Sequence, residues 1–538
     1  MTPSFASPTR RAFLTQSSLA MAGLLWARPS TARGAVIAVP MRANVPVSTF
    51  APPVLDPEVM RHLARTAMDA AMSAGARAAD IRIGDQRIFY ADGGLHGRLE
   101  YHCGYGVRAE VDGMMAFVGG ADPTPEAVVR AARSAVATAR GLAKIVGAQP
   151  PLPAVPVVTG EWKATLEIDP FSVAPEDHAF VLTGLTKINT ISGPTGLAGA
   201  AAWWQNETRV FASSEGSLIT QTLADARPFL SMSSFSPDPR QPRLGQPVSF
   251  VSPGTVGFEI LLGTELQARI DAAIRDFDTW RSYPVGDPEI GRKEVVLDGW
   301  TTGMTLGNTL LPALSLARVL GDEQDINGTS FLTPPEQVLG QTLFAPTLNV
   351  NVVTGPKQYG ARQWDDDGVT QRSVSLIHEG RVANYLTARA NVAMLPQAEL
   401  TGTERAEQPT SVPMTCAGAV AMDAAANGPT LAEMVKSVKD GVLVRAGWAD
   451  ANQQNSGGVI APTTLFKIRN GVITHRVVDA TVEFSARKLW KELVAIGHPS
   501  TTETILYGQY GGVPIASTHQ SITAPALHLN KTNVFSLL

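Results

Sequence analysis

Apolar residues recur at helical spacing over 57–75, where Val59, Leu63, Ala67, Ala70 and Ala71 share one face and Gly75 offers a C-terminal stop. The period then shortens to two. Ala79-Asp80-Ile81-Arg82-Ile83, Gly106–Val111 and Met114–Val118 alternate as strands, the last two joined by the tight Asp112-Gly113 turn. Pro123-Thr124-Pro125-Glu126 announces a second helix through Val128, Val129, Ala132, Ala135 and Val136. The opening region therefore reads as helix, antiparallel sheet, helix.

Pro150, Pro151, Pro153 and Pro156 form an extended linker, because each ring fixes φ and removes a backbone donor; they place a boundary near 145–160. A middle region follows, with a helix from about Pro175 to Ile188, strands Thr208–Ala212 and Leu218–Thr222 joined through Glu215-Gly216, a proline-rich stretch, and a helix near Phe258 to Phe277. From Lys293–Leu297 onward the pattern is mainly hairpins: Ser373–Ile377 with Arg381–Leu386 around Glu379-Gly380, and Leu465–Ile468 with Val472–Val477 around Asn470-Gly471. The fold class is α+β, in three parts: an N-terminal α+β domain (35–150), a small α+β middle domain (158–290) and a mostly antiparallel β domain (293–538).

Composition narrows the class. The chain has 538 residues, 44% of them apolar, a formal net charge of −4 and two cysteines, which excludes a disordered chain, a collagen-like repeat and a disulfide scaffold. Residues 1–34 are set apart. Arg10-Arg11 precede Phe13-Leu14, a short apolar stretch runs from Leu19 to Ala27, and small residues around Ala32 and Gly34 offer a cleavage point, the order expected of a twin-arginine export signal. Without those residues the chain holds 40 basic against 48 acidic side chains, a net of −8, which argues against nucleic acid as a partner. The expected location is periplasmic, with no membrane span in the mature form. Twin-arginine export carries proteins already folded, some of them with a cofactor or a partner. Cys103 and Cys416 form no CxxC and read as small buried hydrophobes.

Several phrases run collinearly along the mature chain: Ser73-Ala74-Gly75-Ala76 with Asp80-Ile81-Arg82, Gly104–Arg108, Asp367–Arg372, Thr401–Arg405 followed by Pro413-Met414-Thr415, and Ile468–Ile473. In that order they resemble the TldD/PmbA family, of the PmbA/TldE-like metal-free type. Its metal-bearing members are zinc metallopeptidases, and its metal-free members pair with them. In the metal-bearing relatives a helix early in the C-terminal domain carries HExxxH, two imidazoles for one Zn²⁺ and a Glu as general base. The resemblance places those three positions on Gly307, Asn308 and Pro312, and a further Cys ligand around Tyr507-Gly508-Gln509; none of these is a zinc ligand or a base. It implies no metal, cofactor or identified catalytic residue in this chain. The implied role is a non-catalytic subunit of a heterodimeric peptidase acting on extended peptides, with zinc in an HExxxH-bearing paralogue. A stand-alone periplasmic binding or scaffold protein is the alternative.

No other constellation replaces the missing one. The nine histidines contain no HxH, HxxxH or HExxH pair, and His378-Glu379 falls in a hairpin turn. His102 and Cys103, as neighbours on a strand, point to opposite faces. Asp365-Asp366-Asp367-Gly368 lacks the alternation of a calcium loop and reads as a solvated acidic turn. Gly193, Gly196 and Gly199 read as a loop, no G-x-S-x-G elbow occurs, and of Trp203-Trp204 one ring is expected in the core and one outside.

Overall fold

Helix α1 (Pro57–Ser73) starts where its sequence says it should: the Asp56 carboxylate accepts from the Glu58 N–H, Pro57 sits in the first turn, and Met60, Leu63, Ala64, Ala67 and Ala71 are buried. Helix α2 (Pro125–Val146) is capped by Thr124, whose hydroxyl accepts from the Ala127 N–H. In the computed structural model residues 55–536 are described, apart from 93–96, 175–176, 179–181, 183–195, 235–243, 249–251, 263–271, 273–274, 287–289, 326, 463, 478–479 and 513–514. They belong to one compact unit, Met41–Leu538.

Both helices lie on a seven-stranded sheet built from β1 (Ala78–Asp92), β2 (Gly97–Val111), β3 (Met114–Ala121), β4 (Thr159–Lys163), β5 (Gly196–Ser213), β6 (Leu218–Ser234) and β7 (Leu244–Val248). Its order is β3-β2-β1-β5-β6-β4, with β7 also on β6; every pair is antiparallel except β4 with β6. Strands from both sides of the proline linker thus share one sheet. Ile81, Ile83, Val107, Ala109, Val210 and Ala212 pack under the helices. The opposite face is polar and receives the segment Pro409–Ser411. That approach requires glycine: a Cβ on Gly84 would come within 2.7 Å of Pro409 Cγ, and one on Gly104 within 2.5 Å of Thr410 Cγ2.

From Val285 onward the chain forms a six-stranded and a ten-stranded sheet. The expected hairpins are present, Val374–His378 with Arg381–Val382 and Thr464–Arg469 with Val472–Val477, and Glu379 and Asn470 take the positive φ of their turns. A few neighbours are parallel, among them Asp440–Arg445 beside Gly291–Leu297. The second hairpin arm, expected to reach Leu386, pairs only over Arg381–Val382. Near Phe258 the chain makes a short 3₁₀ turn, Phe258–Leu261, and residues 275–282 are helical, whereas most of the interval lies outside the described residues. Most of the helix expected over Pro175–Ile188 does too.

Between the two large sheets runs helix α3 (Gly299–Asn308), GWTTGMTLGN, touching strands of both. Asp298 caps it, accepting from the Thr301 N–H at 2.8 Å, and all positions from Gly299 to Gly307 are buried. A helix walled in on every side needs small, uncharged residues all round, which is why this segment shows no polar face.

Candidate functional site

Helix α3 carries the first two of the three positions where the resemblance expects metal chemistry. It stops at Asn308. Thr309 leaves helical geometry, at φ −120° and ψ −71°, and Pro312 sits in a separate short turn, Leu310–Ala313. A proline here has no N–H to return to residue 308 and its ring opposes a continuous helix, so the helical spacing that would aim two ligands at one ion is broken.

The donors are absent as well. Asn308 turns its amide back to the Met304 carbonyl, 3.1 Å. Gly307 faces the strand Glu503–Gly511: a Cβ built there would meet the Tyr507 ring at 2.8 Å and Ile522 Cδ1 at 2.9 Å. The two stretches that the resemblance pairs as ligand sources therefore do meet in space, but an aromatic ring lies against a bare backbone. Burial pushes the Tyr507 phenol above its ordinary range. Gln509 accepts from the Gln520 amide at 2.7 Å, and Gly508 is exposed. A glycine, an amide, a proline and a phenol do not fit a zinc site, which takes thiolate, imidazole and carboxylate donors.

This contact yields a sign test. Gly307→Ala should destabilise the protein by about 1 to 2 kcal/mol, because overpacking against Tyr507 and Ile522 exceeds the helix-propensity gain of about 1 kcal/mol. In a Tyr507→Ala background, where only Ile522 Cδ1 still opposes the methyl group, the same substitution should cost at least about 1 kcal/mol less. Urea denaturation of the four proteins checks it, and additive effects would refute the contact.

Charge concentrates elsewhere, in the seam between the polar face of the seven-stranded sheet and the loops after residue 360. The acidic run Asp365-Asp366-Asp367, expected as a solvated turn, is buried here, because arginines on β2 and β5 reach it. Arg209 forks onto Asp366 at 2.6 and 2.7 Å and onto Glu207 at 2.6 and 2.8 Å. Arg108 bridges Asp80 at 2.9 Å and Asp367 at 2.6 Å. Asp365 instead takes backbone N–H groups of Asp367, Val369 and Glu404. Burial alone would raise the Asp366 carboxyl, but Arg209, Arg82 and Arg362 overcome it and hold the group well below the usual range.

A cavity of about 260 Å³ opens on this seam, lined by Asp80, Arg108, Asp322, Asp367, Arg389 and Glu404 among others. Burial and the neighbouring Asp367 push Glu404 up to about 8, while Thr415 hydrogen-bonds its carboxyl. Its charges are largely matched within the protein, Arg389 by Glu215 and Glu323 by Arg318. The signal that could have revealed the seam lay in the strands themselves, where Arg82, Arg108 and Arg209 fill the polar positions of the alternation and so give the second face of the sheet a concentration of charge.

The remaining sequence candidates stay apart. Cys103 and Cys416 are both free thiols, and burial pushes Cys416 up to about 12. His102 lies 3.4 Å from Glu100. His378 and Glu379 are exposed in their turn. Trp204 is fully buried and Trp203 only partly. Of the spaced glycines, Gly196 and Gly199 belong to β5 and not to a loop, and Gly193 lies outside the described residues. Among the described residues no group of three or more His, Cys, Asp or Glu is arranged to hold a metal ion.

The family described as PmbA/TldA metallopeptidase C-terminal domain matches residues 290–536. No curated protein matches the chain. Among solved structures, TldE from Thermococcus kodakarensis is similar with a TM-score of 0.66 at 15% identity, over 88% of this chain and 99% of that one. A protein named as a modulator of DNA gyrase from Bacteroides thetaiotaomicron gives 0.63 at 16% identity, over 89% and 99%. Another so named, from Thermotoga maritima, gives 0.63 at 13%, over 88% and 99%. At these identities the likeness is one of fold.

Proposed function

Because the chain belongs to the TldD/PmbA family through its C-terminal domain, we propose that it is a metal-free subunit of a heterodimeric peptidase, paired with a zinc-bearing HExxxH paralogue. The observation that carries this reading is the packing at Gly307: where a zinc-binding member needs an imidazole, the Tyr507 ring leaves no room even for a methyl group. Hydrolysis of extended peptides would then belong to the partner. This chain would contribute groove walls and strand edges for main-chain pairing. The likeness to a TldE supports the same assignment. The Arg10-Arg11 segment would send the folded protein, with its partner, to the periplasm.

Affinity purification of the tagged chain from its native periplasm, with mass spectrometry and metal analysis, tests the reading. The expected result is a stoichiometric HExxxH-bearing paralogue, with zinc tracking that subunit and fewer than about one zinc per ten chains in this one once separated. Recovery of a lone chain or a homodimer would sink the pairing and leave a periplasmic binding or scaffold protein. Zinc bound stoichiometrically by this chain would refute the metal-free assignment.

A further inference from the structure

A cavity of about 430 Å³ opens on the helix-bearing face of the seven-stranded sheet, beyond the end of α1. Its floor follows from strand register. Asp85 on β1 stands opposite Thr208 on β5, Thr208 opposite Thr222 on β6, and Thr222 opposite Lys163 on β4, so four side chains form a row across four strands. A second row, Arg87, Asn206 and Ala224, lies alongside. The central positions are small, and this opens a trench at right angles to the strands.

Both long sides are walled. On one, Arg61 of α1 donates to Thr220 Oγ1 at 2.7 Å and to Glu161 at 3.1 Å, closing the neighbouring row. On the other, Phe89 and Trp204 belong to a buried aromatic cluster. The ends carry charge that the protein leaves incompletely matched. Asp85 is 1% exposed; its Oδ2 accepts from Leu55 N at 2.7 Å and from the Tyr101 hydroxyl at 2.8 Å, and its Oδ1 has no partner among the described residues. Arg87 lies over the Phe171 ring at 4.6 Å, and Lys163 is exposed; neither has a carboxylate partner among the described residues. The trench's other carboxylates are occupied, Asp169 by the Phe171 N–H and Asn206, Glu207 by Arg209.

The Asp85 carboxylate at one end of the trench, with Arg87 two residues along the same strand, and the Lys163 ammonium at the other end call for a ligand carrying both signs. Three interstrand steps of about 4.8 Å separate Asp85 from Lys163 by about 14 Å. An extended tripeptide spans about 10 Å, which leaves about 4 Å to be shared by the contacts at its two ends. We propose that this trench binds a short zwitterionic peptide of about three residues, its ammonium end at Asp85 and its carboxylate at Lys163. Arg87, Asn206 and the two threonine hydroxyls would face its main-chain amides. The site lies in this chain alone, so it does not depend on the pairing proposed above.

Isothermal titration of the purified full chain with trialanine tests it. Binding is expected, weakened at least tenfold by N-acetylation or by C-terminal amidation. Lys163→Ala should erase the difference between acid and amide, and Asp85→Asn should erase that between free and acetylated peptide. Should Asp85→Asn fail to fold, Thr222→Tyr fills the floor instead and should abolish binding with the thermal melt preserved. Capped and free peptides binding equally, or no binding at millimolar trialanine, would overturn the proposal. So would succinate binding as tightly as trialanine, which would make the trench a simple anion site.

Discussion

Replacing Arg209 by Met should cost about 3 to 5 kcal/mol of folding free energy, because it takes the forked cation from two buried carboxylates, Glu207 and Asp366, and leaves Asp366 only the more distant Arg362 at 3.9 Å and Arg82. Asp366→Asn should cost less. The arginine keeps its second partner, and the asparagine oxygen can still accept from the Ala406 N–H, which reaches Asp366 at 2.6 Å. Glu207→Gln combined with Arg209→Met and Asp366→Asn should recover more than half the loss, since the expense lies in unpaired charge. Urea denaturation at pH 7 reads all three, and a loss under about 1 kcal/mol for Arg209→Met would mean that water reaches the seam. The acid dependence has a defined sign. A carboxyl whose folded pKa is depressed contributes stability that is present above its unfolded value of about 3.9 and is lost as pH falls below it.

The second large effect lies in a higher pH window. His178 is fully buried among Phe89, Trp204 and Phe258, with ring centroids 4.4 to 4.8 Å away. Its Nε2 donates to the Pro170 carbonyl at 2.9 Å, and among the described residues Nδ1 has no partner to accept a second proton. Burial pushes the ring down to about 4 against the opposing pull of that carbonyl. An unfolded histidine takes its proton near 6.5, so the unfolded state binds more protons as pH falls from about 6.5 to about 4. Stability should drop by about 3 kcal/mol across that window and by nothing more from this group below it. His178→Phe should be about 1 kcal/mol less stable at pH 7.5, for the lost hydrogen bond, and should lack this acid limb. Comparing the two proteins at each pH removes the contribution of the other histidines. Parallel stability curves from pH 7.5 to 4.5 would refute the assignment.

How far the sequence could be read depended on whether local chemistry decided the outcome. Helix α1 ends within two residues of its expected stop, because the spacing of Leu63, Ala67 and Ala71 and the glycine after it are local signals. The Asp112-Gly113 and Asn470-Gly471 turns are legible for the same reason. Strand β1 continues to Asp92, well past Ile83, since its alternation is masked by Asp85, Gln86 and Arg87. Those polar residues are what the trench and the seam use. Asp366 reads as solvent-facing in sequence, and its burial depends on an arginine 157 residues away, which no local pattern encodes. The positions expected to bear metal chemistry were identifiable by resemblance. That Tyr507 would lie against Gly307 required the packing of α3 on the strand Glu503–Gly511.

The seam also bears on how the polypeptide could be divided. Arg108 and Arg209 come from strands before residue 235 and their partners Asp367 and Asp366 from the loop after 360, so severing the chain between the two regions would separate these arginines from those aspartates. Neither piece would carry a self-consistent electrostatic surface, and the bare glycines at 84 and 104 would lose the segment that covers them. Such pieces would be obligate complements, insoluble or poorly folded alone and recovering their structure only when mixed.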